Sequence, residues 1–227
     1  MSLLTPEEWE VLALSLKVGI VCVLISLPPG VGLGYLLARK QFRGKLLLDG
    51  LCHLPLVLPP IVTGYLLLLL LGRRGILGAF LERTLGIHLA FTWKGAALAS
   101  AAVGFPLMLR AIRLAIEAVD PRLERVARTL GAGPMRAFWT VTLRLSLPGL
   151  LVGSLLTFAR SLGEFGATII FAANIPGETR TISVAIFSYL NEPGGDMAAA
   201  RLSVVSIAVS LGTLVLSEWL ARRTRVE

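Results

Sequence analysis

LERVARTLGAGPMRAFWTVTLRLSLPG, residues 123–149, sets an arginine every few positions inside a chain that is otherwise apolar enough to lie in a bilayer. On a helical wheel Leu123, Val126, Ala127 and Leu130 fall at i, i+3, i+4 and i+7 and form one apolar face. Arg122, Glu124, Arg125 and Arg128 occupy the rest of the wheel. Asp120-Pro121 supplies a helix N-cap and a first-turn proline, and Gly131-Ala132-Gly133-Pro134 ends the helix and turns the chain. A second short helix from Met135 to Leu143 is expected to lead into an apolar span at Leu145-Ser146-Leu147-Pro148. Arginine is welcome at lipid headgroups, which explains the charge. It does not explain a capped, sharply turned element in an otherwise economical chain, and that shape suits a groove on another protein.

The composition around this stretch is that of a polytopic membrane protein. Of 227 residues 55% are hydrophobic and 16% charged, and the mean hydropathy is +0.78. A net charge of +8 and a pI near 10.3 fit basic loops that set orientation, and no nucleic acid partner is expected. Cys22 and Cys52 sit in apolar runs without metal-ligand spacing, so core packing is the better reading of each. The N-terminal MSLLTPEEWE is acidic where a secretory signal is basic, and the first span is expected to be retained.

Apolar stretches of about 20 residues, enough to cross a hydrocarbon core, lie near 11–38, 51–71, 90–112, 146–172 and 201–221. The sequence therefore predicts an all-α chain of about five membrane helices, a single domain over 1–227, with one long polar loop at about 113–145. ISVAIFSYL at 182–190 is too short to cross and reads as an interfacial or re-entrant helix. Alternating connections put Arg39, Lys40, Arg43, Lys45, seven arginines between 110 and 144, and Arg222, Arg223 and Arg225 on one side, fourteen basic residues in all. The other side carries six: Arg73, Arg74, Arg83, Arg180, Lys94 and Arg201. The richer side is expected to be cytoplasmic, with the N-terminus outside and the C-terminus inside.

No phosphate-binding loop, H-E-x-x-H or G-x-S-x-G arrangement is present, so no catalytic or metal-binding set is expected in this chain. His53 reads as a satisfied buried histidine. The fourth span carries Thr157, Arg160, Ser161, Glu164 and Thr168, with Gly163 and Gly166 between them. Ionisable residues in a span face a partner or an aqueous path. Arg160 and Glu164 are one helical turn apart and able to neutralise each other, which favours a gate or an interhelix tie over a permanent anion site. Pro28-Pro29, Pro55, Pro59-Pro60 and Pro106 punctuate other spans.

The loop resembles the cytoplasmic "EAA" loop of ABC-importer membrane subunits. Ala127 and Gly131 match its second alanine and its glycine, and Val141-Thr142-Leu143 its I-x-L. Arg125 and Val126 stand where Glu and Ala are usual, and Arg144 where proline is usual. From LCHLPLVLPP at 51–60 through ARTLGAG at 127–133 to FARSLGEFGAT at 158–168 and NIPGETRTI at 174–182, nearly the whole chain is similar to the membrane subunits of bacterial molybdate ABC transporters. That resemblance implies the type I importer permease fold and a multi-pass place in the bacterial cytoplasmic membrane. It also implies a homodimer surrounded by membrane lipid, with two cytoplasmic ATP-binding subunits, which use ATP and Mg²⁺, and an external substrate-binding protein. The loop would be the coupling helix, with Glu124, Arg125, Ala127, Arg128, Leu130, Gly131, Ala132 and Gly133 at the ATPase. Thr157, Arg160, Ser161, Glu164 and Thr168 would form the path or gate. The substrate implied is molybdate, with tungstate a near twin. The alternatives are a sulfate or thiosulfate permease and, from another class, an ion-coupled secondary transporter with Glu164 as its proton site.

Overall fold

In the computed structural model residues 4–223 are described, with side-chain surroundings to Leu220. Arg225, the side-chain surroundings of Arg222 and Arg223, and the outermost ends of the expected 1–227 domain lie outside what is described. The described residues form helices and no strand. Their order is α1 (Pro6–Arg39), α2 (Lys45–Val57), α3 (Pro60–Leu71), α4 (Ile76–Leu85), α5 (Trp93–Ala118), α6 (Pro121–Thr129), α7 (Pro134–Ala137), a π turn (Phe138–Thr142), α8 (Leu143–Leu162), α9 (Gly166–Phe171), α10 (Ile182–Leu190) and α11 (Asp196–Arg223).

Helix α1 starts at a capping box. The Glu8 amide donates to Thr5 Oγ1 at 3.3 Å and the Thr5 amide to Glu8 Oε2 at 2.8 Å. It then continues through Pro28-Pro29 to Arg39. The centre of the bundle is α5, whose buried face is built of Ala96, Ala97, Ala99, Ser100 and Gly104. Small residues let its neighbours close in. A Cβ on Gly34 of α1 would stand 2.9 Å from Ile112 Cγ2, and one on Gly149 of α8 would run into Ala115 Cβ.

The relative direction of the helices follows from end-to-end contacts. Arg39 Nη2, at the end of α1, donates to the Val119 carbonyl at the end of α5, 2.7 Å away. Near their starts, Lys17 Nζ lies 3.7 Å over the Trp93 ring. Helices α1 and α5 are therefore parallel, and the chain between them must return across the bundle. It returns through α2 and α3, which meet at Leu58-Pro59 with a bend of 116°. The second span is thus broken, where a single straight helix over 51–71 was expected. Pro60 supplies the first turn of α3, and Pro59 the extended residue before it. Helix α8 is antiparallel to α5, since Gly149, Gly153 and Thr157 approach Ala115, Ala111 and Gly104 in turn. Helix α11 starts beside the start of α1, where Arg201 meets Glu8. Among the described residues four helices are long and apolar enough to cross a membrane, and five if the bent pair counts as one span.

Two further boundaries differ from expectation. The expected separate helix at Met135–Leu143 is continuous with α8 through the π turn, in which the Leu143 amide donates to the Phe138 carbonyl five residues back. The fourth span runs from Pro134 and ends at Leu162, short of 172. The short α10, expected as an interfacial or re-entrant helix, packs against the bundle. Ile182 and Ala185 are buried against Val11, Leu12 and Leu202, and the Ile182 amide donates to Ser15 Oγ of α1 at 2.7 Å.

Candidate functional site

Two groups of polar residues stand apart from the apolar bundle. The first is α6 and its turn. Asp120 Oδ1 accepts from the Arg122 amide at 2.8 Å and starts the helix. At the other end the Gly131 amide donates to the Arg128 carbonyl (3.1 Å) and the Ala132 amide to the Ala127 carbonyl (3.0 Å), the paired bonds of a Schellman stop. Gly131 carries φ +90°, as that stop requires, and no neighbouring atom lies within 4 Å of where its Cβ would be. Backbone conformation, and not space, is what demands glycine there.

No residue of α6 is buried. Its apolar face is open, with Leu123, Val126 and Leu130 exposed by 46%, 54% and 83%. The predicted docking residues Arg125, Arg128, Leu130, Gly131 and Gly133 lie exposed on one projection of the molecule, with Ala127 and Ala132 half-buried at its base. An exposed apolar stripe rimmed by arginine is a protein-binding surface in the making. Glu124 departs from this set. It is half-buried, and its Oε1 accepts a hydrogen bond from the hydroxyl of the buried Thr142.

The second group lies where α8 stops. Gly163 and Glu164 leave the helix before Gly166 starts α9. Arg160 Nη2 and Glu164 Oε2 are 2.9 Å apart, and the other carboxylate oxygen of Glu164 accepts from the Ala167 amide at 2.9 Å. Glu164 is 2% exposed and Arg160 about a third exposed, so the pair reaches from the interior to the protomer surface. The paired carboxylate sits across the break and fixes α9 relative to α8. Ser161 is buried and donates to the Phe158 carbonyl at 2.7 Å. Thr157 is fully buried and donates to the Gly104 carbonyl of α5 at 3.4 Å. Thr168 is fully buried with no hydrogen-bond partner. Of the five predicted path residues, Arg160 alone has appreciable exposure in the protomer.

Two ion-paired clusters escaped the sequence reading. Glu8, 1% exposed, is gripped by Arg201 with Nη2–Oε1 at 2.6 Å and Nε at 3.1 Å. At the opposite face Arg113 bridges Asp49 of α2 (2.9 Å) and Glu117 (2.8 Å), and His53 Nδ1 is 3.2 Å from Asp49 Oδ1. His53 thus has a partner as expected, but at a half-buried rim and not in the core. Arg180, read as an outer-surface charge, donates to Asn174 Oδ1 at 2.9 Å beside a cavity of about 370 Å³ lined with Glu7, Glu10 and Tyr189. Among the described residues no cluster of His, Cys, Asp and Glu is arranged to hold a metal.

The chain and its fold have counterparts among known proteins. Residues 30–226 match the family of binding-protein-dependent transport system inner membrane components. The chain is 58% identical over 223 residues to the molybdenum transport system permease protein ModB of Escherichia coli, covering 98% of this chain and 97% of that one. It is 53% identical over 216 residues to ModB of Haemophilus influenzae, covering 95% and 94% of the two chains. To the sulfate transport system permease protein CysW of Synechococcus elongatus it is 35% identical, covering 95% of this chain and 74% of that one. Its fold is that of a chain in the crystal structure of a bacterial ABC transporter that imports the acidic polysaccharide alginate, with TM-score 0.72 and 18% identity, over 96% of this chain and 80% of that one. The chain belongs to the family of inner membrane components of binding-protein-dependent transport systems.

Proposed function

We propose that this chain is the permease subunit of an ATP-driven importer that carries molybdate, and tungstate with it, across the bacterial cytoplasmic membrane. The observation that carries the substrate is the 58% identity, over almost the whole of both chains, to a molybdenum permease, against 35% to a sulfate permease. In this reading the chain hydrolyses nothing. Two copies form the path, two cytoplasmic ATP-binding subunits hold ATP and Mg²⁺, and an external binding protein delivers the anion.

The open apolar face of α6 supports docking to the ATPase, with Arg125, Ala127, Arg128, Leu130, Gly131, Ala132 and Gly133 forming the contact. The fourteen-to-six distribution of basic residues supports placing the α6 face in the cytoplasm and the start of α1 outside. Movement of α6 is passed to one continuous helix, Pro134–Leu162, whose far end carries the Arg160–Glu164 pair. A self-neutralised pair offers no deep cationic trap, and transport needs a site that releases. Arg160 lines the path as a gate, while Thr157, Ser161, Glu164 and Thr168 hold the break that positions it. Selection among oxyanions then rests mainly on the external binding protein.

The test is reconstitution of the chain with ATP-binding subunits and binding protein in vesicles. Uptake should require ATP and fail without the ATPase. Uptake driven by a proton gradient without ATPase would move the chain to ion-coupled transport, with Glu164 as the proton site.

A further inference from the structure

We propose that Glu124 is a positioning residue, a strut that sets the angle of α6 against the membrane helices through Thr142, and no part of the face that meets the ATPase. The proposal rests on the reading of α6 as the docking element. On the wheel Glu124 shares the polar side with Arg122, Arg125 and Arg128, and those three arginines are exposed. The Glu124 carboxylate alone turns inward, accepting from the hydroxyl of Thr142, which is fully buried. Tyr35 of α1 packs beside the π turn that holds Thr142. The Tyr35 ring in turn stands edge-on to Phe138, with centroids 4.8 Å apart. One acidic group therefore joins α6 to the π turn that begins the fourth span, and the π turn in turn packs on α1. Since α6 buries no residue of its own, its angle depends on this tie more than on packing.

The π turn gives the strut something to move. A π turn holds one residue more than an α-helical turn, and relaxing it to α-helical pairing shifts the register of everything beyond it by one position. Thr142 closes the turn, and its carbonyl accepts from Ser146 Oγ of α8 at 2.7 Å. A pull on Glu124 thus acts directly on the residue where the register is set. In the assembled transporter α6 displacement would reach α8 through this hydrogen bond.

The experiment compares variants in the reconstituted complex, reading anion taken up per ATP hydrolysed and capture of the ATPase in the same preparation. Thr142→Val keeps the shape and removes the donor. It is expected to assemble and to lower uptake per ATP about fivefold, the factor expected of one hydrogen bond. Thr142→Ser restores the donor with a smaller side chain and should recover the wild-type ratio, which a purely packing role would not do. Wild-type uptake per ATP in Thr142→Val, or an equal defect in Thr142→Ser, overturns the strut. Loss of ATPase capture in Glu124→Ala with capture intact in Thr142→Val puts the carboxylate on the docking face and also overturns it. Should Thr142→Val fail to fold, Glu124→Gln weakens the acceptor of the same bond at constant shape, and an unchanged ratio there overturns the proposal. The docking reading fails separately, if Leu130→Glu still captures the ATPase normally.

Discussion

Arg39 Nη2 donates to the Val119 carbonyl across 2.7 Å, tying the last residue of α1 to the residue just beyond α5. Two helices 80 residues apart in the chain therefore end on one face. The intervening chain must cross the bundle, although α2 and α3 are each too short to do so alone.

That crossing predicts topology. Reporter fusions after Arg43 and at the C-terminal Glu227 should read the same side, and a fusion in the α3–α4 connection at Arg74 the other. From the basic-residue count, the first side is expected to read cytoplasmic. Opposite readings at Arg43 and Glu227 would mean that α2 and α3 re-enter without crossing.

The Schellman stop of α6 predicts different behaviour for two neighbouring glycines. Gly131 needs φ +90°, which costs a β-branched residue about 1–2 kcal/mol, while Gly133 sits at φ −65°. Neither faces a neighbour within 4 Å. Gly131→Val should give a folded subunit that loses ATPase capture or uptake, and Gly133→Ala should be near wild type in both. Equal tolerance at both positions would separate the turn from coupling.

Close helix approach predicts a stability contrast. Gly149→Ala drives a methyl into Ala115 and should destabilise by about 1–3 kcal/mol, visible as a lower melting temperature in detergent. Gly32 of α1 has open space, so Gly32→Ala should be neutral or slightly stabilising. A melting temperature unchanged in Gly149→Ala would show that α5 and α8 do not pack at this distance.

The Arg160–Glu164 pair predicts non-additive behaviour. Glu164→Gln leaves a guanidinium without its partner and should cost about 2 kcal/mol, less than a fully buried pair because Arg160 is partly exposed. Adding Arg160→Met should restore much of that stability. If the pair gates the path, the double variant stays impaired in uptake; wild-type uptake by the stable double variant reduces the pair to structural glue.

Much of the fold was legible because membrane spans announce themselves by apolar length and α6 by its cap, periodicity and glycine stop. The breaks were less so. Pro59-Pro60 and Gly163 stood out as punctuation, but apolar residues continue on both sides of each, so hydropathy runs straight through. The ties Glu8–Arg201 and Asp49–Arg113 join residues 193 and 64 positions apart, and no local periodicity encodes such pairs. The Glu124–Thr142 tie was out of reach for a related reason. A wheel sees only its own helix, and the hydroxyl that draws this carboxylate inward belongs to the π turn beginning the next span.

The measurement that bears most directly on the central claim is anion competition in ATP-driven uptake by the reconstituted complex with its binding protein. Molybdate should be taken up, tungstate should compete at low concentration, and sulfate should not compete. Uptake blocked by sulfate and indifferent to tungstate would contradict the account and place this chain with the sulfate permeases.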